Sequence, residues 1–281
     1  MSGKVSEKIG IIAGGGQLPL LFAKAAGRGG LAVFAAAHEG ETDNDLVNLV
    51  SGLQWVKLGQ LGRIIKFFKQ QGIDQTVMVG SITKTNIFKD LRPDLKGLGL
   101  WNKINVKQDD AILRAVAEGL AKEGIEVVAS TRYLPELLFP KGVLTRKKPT
   151  RAQQEDIRFG WQMARAVGDL DIGQCVVVRN QTVLAVEAIE GTDAAIKRGG
   201  MLGKEKTVVI KLRKPNQDLR FDLPAVGITT IDSMQEAKAA VLAVEAGHTL
   251  LFDREALVEA ADKSGIVVIG VQEKENGELS F

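Results

Sequence analysis

The sequence predicts an α/β protein with two parts: an N-terminal doubly wound, Rossmann-like domain on a parallel sheet, then a C-terminal mixed α+β domain. Three observations carry this. Short apolar runs alternate with amphipathic stretches throughout the first half. Each run is apolar along its whole length, as strands covered on both faces must be. The chain is 281 residues long, enough for about two domains with a core each.

In the first half, Ile9–Ala13 reads as a buried strand, followed by a glycine turn and a helix from about Leu18 to Gly27. Leu31–Ala37 reads as a second strand, and the stretch beginning at Asp43 as a second helix. Gln54–Lys57 is a strand, Gly62–Gln71 a helix and Thr76–Gly80 a strand. From Asp109 to Glu123 the apolar residues Ile112, Leu113, Val116 and Leu120 recur at helical spacing, and Ile125–Ala129 closes the series. The texture changes between Pro140 and Arg151, where Arg146-Lys147-Lys148-Pro149 is polar and basic and reads as a linker. This divides the chain into 1–139, a nucleotide-binding domain; 140–150, a linker; and 151–281, a catalytic α+β domain. In the second half, Ala152–Val167 is helical, and Gln174–Arg179 and Val183–Glu187 flank a short hairpin loop. Thr207–Leu212, Val241–Val244 and Thr249–Phe252 are expected strands, Glu255–Lys263 a helix and Ile266–Ile269 a strand.

Composition excludes several classes. With 37 Lys+Arg against 34 Asp+Glu the net charge is +3, too small an excess for a nucleic-acid protein without a clustered basic patch. A single cysteine, Cys175, rules out an intramolecular disulfide framework and fits a reducing compartment. Two histidines far apart in sequence, His38 and His248, leave no basis for a Cys/His zinc site. Lys4, Glu7 and Lys8 precede an apolar run that breaks at Gly14–Gly16, so no secretory segment is expected, and no apolar run reaches the length of a membrane span. The expected location is cytoplasmic.

Two segments carry chemistry. Gly14-Gly15-Gly16-Gln17-Leu18-Pro19 lies between the first strand and its helix, where glycines admit a phosphate or sugar close to the backbone and a helix N-terminus offers free N–H groups. Pro19 stands where a dinucleotide fingerprint would have its third glycine, so the alternatives are a nucleotide cradle and a tight turn without a ligand. Glu39, near the end of the second strand, occupies the place of a ribose-binding acid. Gly80-Ser81-Ile82-Thr83-Lys84-Thr85 and Ser130-Thr131-Arg132 end two further strands at the same sheet edge. The second segment runs from Lys211 to Pro224 and holds four cations, Lys211, Arg213, Lys214 and Arg220, and two acids, Asp218 and Asp222, with prolines at 215 and 224. Prolines argue against a continuous helix, and carboxylates on a looped backbone at a strand end suit a hard cation such as Mg2+, with Lys and Arg neutralising phosphoryl oxygens. A solvated loop with local salt bridges is the other reading. Gly203-Lys204 is not a P-loop, because Arg198 and Glu205 stand where a glycine and a Ser/Thr are needed. Asp109-Asp110 reads as a helix cap, Glu187, Glu190 and Asp193 as an acidic turn, and Cys175 as a core thiol.

Taken in order, Ile11–Pro19, Ala185–Asp193 and Lys214–Gly227 resemble the UDP-2,3-diacylglucosamine pyrophosphatase family of the LpxI type, as do Leu144–Thr150 and His248–Leu250. The resemblance implies hydrolysis of the pyrophosphate of a UDP-linked diacylated glucosamine to UMP and the diacylated sugar 1-phosphate (lipid X), for lipid A assembly. It also implies dependence on Mg2+ and two domains that enclose the substrate. Asp222, ahead of Asp218, is then the essential acid and metal ligand. Gly14, Gly15, Gly16, Gln17, Leu18, Gly80, Thr131, Thr192, Lys214, Gln217 and Arg220 are the expected substrate contacts. Gly80–Thr85 departs from the Gly-Lys-x-x-Arg-Pro-like turn expected there. An apolar groove for the acyl chains is expected along Leu137, Leu138, Phe139 and Trp161. The partner is a lipid-sugar nucleotide and not a nucleic acid. A transient contact with the inner-membrane surface is expected to come through the lipid, and a homodimer is compatible with the sequence. A non-catalytic nucleotide-sugar binding or regulatory protein is the alternative, separated by UMP release.

Overall fold

The computed structural model describes residues 7–82, 94, 96–97, 109–215, 218–221 and 223–281. The chain forms two compact units: Met1–Pro135 with Asp218–Asp222, and Glu136–Gln217 with Leu223–Phe281.

In the first unit, β1 (Lys8–Ala13), β2 (Ala32–His38), β3 (Gly52–Val56), β4 (Gln75–Val79) and β5 (Glu126–Val127) form one sheet in the order β3-β2-β1-β4-β5. All four pairings are parallel. The order reverses between β1 and β4, the switch point where the loops of such sheets diverge and leave a crevice. Side chains alternate across the sheet. Ile12, Phe34, Ala36, Val56 and Met78 face a core shared with Leu61, Ile64, Ile65 and Phe68 of α2 (Leu61–Gln71) and with Ala117 and Leu120 of α3 (Asp109–Ala121). Ile11, Val33, Ala35 and Val77 point to the other face, where α1 (Leu18–Arg28) lies against β2 and β4 through Phe22, Ala23 and Ala26. Burying side chains such as Phe22 and Phe68 contributes about 1.5–3 kcal/mol each. The helix expected from Asp43 is a 3-10 turn, Asn44–Leu49, started by the Asp43 carboxylate accepting from the Asp45 amide.

The second unit contains β6 (Gly142–Val143), β7 (Cys175–Arg179), β8 (Thr182–Val186), β9 (Val208–Lys211), β10 (Ala225–Val226), β11 (Val241–Glu245), β12 (Leu250–Leu251), β13 (Val267–Glu273) and β14 (Leu279–Ser280). Its main sheet runs β14-β13-β11-β9-β7-β8, with β6 also on β13, while β10 and β12 pair separately. β9, β11 and β13 are parallel; β7 is antiparallel to both β8 and β9, which makes the sheet mixed. One face is covered by α4 (Arg151–Asp169), whose Ile157, Trp161 and Ala164 pack on Val176, Val178, Val208 and Ile210. The other is covered by α5 (Thr192–Gly203), α6 (Ile228–Glu236) and α7 (Arg254–Ser264), through Ile196, Ile231, Met234 and Leu257. α4 starts with a capping box in which Thr150 and Gln153 satisfy each other's backbone amides. The β7–β8 hairpin turns on Asn180 and Gln181, both with positive φ (49° and 54°), as a primed two-residue turn requires. The buried Asp156 carboxylate of α4 accepts from both of their amides, at 3.1 and 2.6 Å.

Two expectations are corrected here. The stretch 140–150 is not a free linker but part of the second unit. Gly142 and Val143 pair with β13, Leu144 N–H donates to Val268 O, and the Arg146 amide donates to Asp262. Prolines and lysines misled because this edge strand is only two residues long. Phe139 and Trp161 do not line a groove: they are 1% and 2% exposed and belong to cores on opposite faces of the second sheet. Among the described residues, no helix is long and apolar enough to cross a membrane.

Candidate active site

At the switch point of the first sheet the loops after β1 and β4 are laced together. Gly14 N–H donates to Val79 O at 2.8 Å, Gly15 N–H to Ser81 O at 2.7 Å, and Ser81 N–H to Gly15 O at 3.1 Å. The approach is so close that a Cβ on Gly14 would stand 2.5 Å from Ser81 O, and one on Gly80 2.5 Å from Gly15 O. Gly14, Gly15 and Gly80 are therefore explained by backbone crossing, and the Gly14 and Gly15 amides are already committed. Gly16 is different: it is exposed, has φ of +83°, and a Cβ there would meet nothing within 4 Å. Exposed Gln17 caps α1 without a side-chain hydrogen bond to the helix, half-buried Leu18 is its first residue, and Pro19 follows with no N–H. This helix start carries the positive end of the peptide dipoles and suits an anion.

The neighbouring strand end is fixed by Thr42, which the sequence did not single out, and by His38, which it weighed only against a zinc site. The Ala13 carbonyl accepts from Thr42 Oγ1 at 2.7 Å and lies 2.9 Å from His38 Nδ1. Burial pushes the His38 pKa down, against the opposing effects of the Ala13 carbonyl and Glu41, so the ring is held neutral. Thr131 is half-buried in the 3-10 turn Ser130–Arg132 that follows β5. Gly14–Leu18, Gly80 and Thr131 thus all follow carboxyl ends of strands in one sheet.

Of the acidic segment, Asp218–Phe221 is described, and it belongs to the first unit. Phe221 packs on the α2/α3 core, and the Arg220 guanidinium lies 4.9 Å from its ring. Arg220 donates to both oxygens of Asp218, at 3.0 Å from Nε and 2.7 Å from Nη2, and its amide donates at 3.1 Å. These bonds from Arg220 hold the Asp218 carboxyl below its ordinary range and raise the Arg220 pKa in turn. Asp222 and Gln217 lie outside the described residues, as do Thr83, Lys84 and Thr85.

The other named residues are in the second unit. Thr192, first residue of α5, donates its hydroxyl to Glu187 Oε1 at 2.9 Å, and Glu187 is itself buried at the end of β8. Lys214 Nζ donates to Asp171 at 2.8 Å. Cys175, in register with Lys211 across the β7–β9 pair, is fully buried, and its thiol pKa is pushed up by burial first and then by the Glu187 carboxylate. It is a core thiol, as expected.

Among the described residues, no three histidines, cysteines or acids gather as a metal site. The Asp218 carboxylate is engaged by Arg220 on both oxygens. Of the two acids expected to hold Mg2+, Asp218 would first have to leave Arg220, and Asp222 lies outside the described residues.

Comparison with known proteins supplies the family. The model of the LpxI N-terminal domain matches residues 8–137, and that of the LpxI C-terminal domain residues 140–269. A protein of Caulobacter vibrioides (strain ATCC 19089 / CIP 103742 / CB 15) named UDP-2,3-diacylglucosamine pyrophosphatase LpxI is 36% identical over 283 residues, covering 96% of this chain and 99% of the relative. A solved structure of phosphoribosylglycinamide synthetase from Anaerococcus prevotii aligns with 68% of this chain and 34% of its own, at 12% identity and a TM-score of 0.26, and carries no argument. Two family models end to end along the sequence, together with a full-length relative, make this chain a member of the LpxI family.

Proposed function

We propose that the protein hydrolyses the pyrophosphate of UDP-2,3-diacylglucosamine to UMP and 2,3-diacylglucosamine 1-phosphate, a step of lipid A biosynthesis. The observation that carries this is the 36% identity, over 96% of the chain, to a relative named for that activity. The fold is compatible with it. Gly16, just before α1, leaves room for a nucleotide phosphate beside the helix N-terminus, and backbone bonds from Gly14 and Gly15 hold this loop to the one after β4. In this reading Asp222 orients the attacking water, whose oxygen bonds to phosphorus as the bridging P–O bond breaks. Arg220 and Lys214 steady the phosphates, each first leaving its present carboxylate partner. Thr131, Thr192 and Gln217 complete the substrate contacts. The reading includes a dependence on Mg2+ and a cytoplasmic reaction reached from the inner-membrane surface, where the lipid substrate resides.

The test is product analysis with UDP-2,3-diacylglucosamine. UMP and the lipid sugar phosphate are expected in equal amounts, with activity lost to a chelator and restored by Mg2+. Asp222→Asn is expected to bind substrate but turn over roughly a hundredfold or more slower, about 3 kcal/mol. Binding without UMP release would leave a nucleotide-sugar binding protein instead.

A further inference from the structure

The buried lysine at the end of β9 is not explained by packing. Lys211 is the last residue of β9, flanked by Ile210 and Leu212, and it is only 6% exposed. A buried ammonium carries a desolvation cost that a Met or Leu of similar size would not. It is set among Cys175, its cross-strand partner, and Glu187, whose charge reaches the same thiol. Its Nζ donates to the carbonyl of Ala225 at 2.8 Å. Ala225 is the first residue of β10, so this bond joins the two ends of the excursion 212–224, which carries Asp218, Arg220 and Asp222.

The two stems differ in how they are held. The entry stem has many anchors: Leu212 N–H donates to Gln174 O, Arg213 N–H to Glu245 Oε2, and Arg165 Nη1 donates to the Arg213 carbonyl. Arg165 is itself paired with Glu245 at 2.7 Å. The exit stem rests on the two-residue β10–β12 pairing, with Leu250 N–H donating to Pro224 O and Phe252 N–H to Val226 O. Lys211 ties this lightly held stem to the firmly held one.

We propose that Lys211 is a positioning residue for the acid-bearing excursion: its buried ammonium clamps the neck through which the chain leaves β9 and returns to β10. The inference rests on the reading that Asp222 serves hydrolysis. Fixing the exit stem limits where an acid three residues earlier can stand, and a misplacement of about 1 Å is enough to cost roughly a hundredfold in rate.

The experiment compares Lys211→Met, which keeps the volume and drops the donor, with Lys211→Arg, which keeps a donor, and with Asp222→Asn. Lys211→Met is expected to lower kcat about tenfold or more, with KM nearly unchanged, and to speed amide exchange at Leu250 and Phe252. Its unfolding temperature is expected to stay level or rise, because a buried charge is gone, which a merely structural role would not combine with lost turnover. Lys211→Arg is expected to recover most of the turnover. Should Lys211→Met not fold, Lys211→Leu, which likewise has no donor, makes the same comparison. Parental kcat in a folded Lys211→Met protein whose Asp222→Asn counterpart is inactive overturns the inference alone. Normal turnover in Asp222→Asn overturns the reading of the segment instead, and exchange at Leu250 and Phe252 then decides whether the clamp exists.

Discussion

Replacing Gly16 with alanine separates a ligand cradle from a mere turn. The structural cost is bounded: φ of +83° is a left-handed conformation that costs an L-residue about 1–2 kcal/mol, and the new methyl meets nothing within 4 Å. For a unit of this size that amounts to a fall in unfolding temperature of roughly 3–8 °C. Gly14→Ala is the control, since its methyl would lie 2.5 Å from Ser81 O. The loops after β1 and β4 would have to part, releasing hydrogen bonds worth about 1 kcal/mol each besides the clash. If the start of α1 receives the nucleotide, Gly16→Ala places a methyl in the path of the phosphates. KM for UDP-2,3-diacylglucosamine is then expected to rise about tenfold, or about 1.4 kcal/mol. The assay is steady-state UMP release beside thermal unfolding. A folded Gly16→Ala protein with parental KM would refute the cradle.

Two further outcomes follow from buried polar groups. Because burial depresses the His38 pKa from its ordinary value of 6.5, the unfolded chain takes up a proton below that pH while the folded chain does not. Stability is therefore lost as pH falls through and below that value, and unfolding temperatures measured at about pH 7.5 and about pH 5.5 should drop further for the parent than for His38→Gln; equal drops would mean that His38 is not the group responsible. Asp156→Ala removes the acceptor at 2.6 and 3.1 Å from the Gln181 and Asn180 amides and should cost about 2–3 kcal/mol in denaturant unfolding. A change under about 0.5 kcal/mol would show that water replaces the carboxylate at this turn.

The first sheet was legible because its inner strands β1, β2 and β4 are buried on both faces, so apolar runs such as Ile9–Ala13 and Val33–Ala37 stand out without any periodicity. The second unit was harder to read. β6, β10 and β14 are two residues each and carry no pattern. α6 begins Ile228-Thr229-Thr230-Ile231, a β-branched run, behind a Gly227 that gives no side-chain cap. α5 carries Gly199-Gly200 in its interior, a pair that reads as a helix stop. Those glycines instead let the helix press on Val177 and Ala237. At the site, spacing could place Asp218 and Arg220 in one loop but not reveal that they bind each other, and it pooled Lys211 with solvated cations although the strand buries it.

The membership of Asp218–Asp222 in the first unit bears on how the chain is made. A ribosome releases the N-terminal half first, yet that half lacks Phe221, which covers part of its core, until more than eighty further residues have emerged. At ordinary elongation rates of about 5–20 residues per second, the wait is on the order of ten seconds. During that interval the nascent first unit exposes apolar surface for a chaperone to cover, and a gene split after residue 139 would make the exposure permanent.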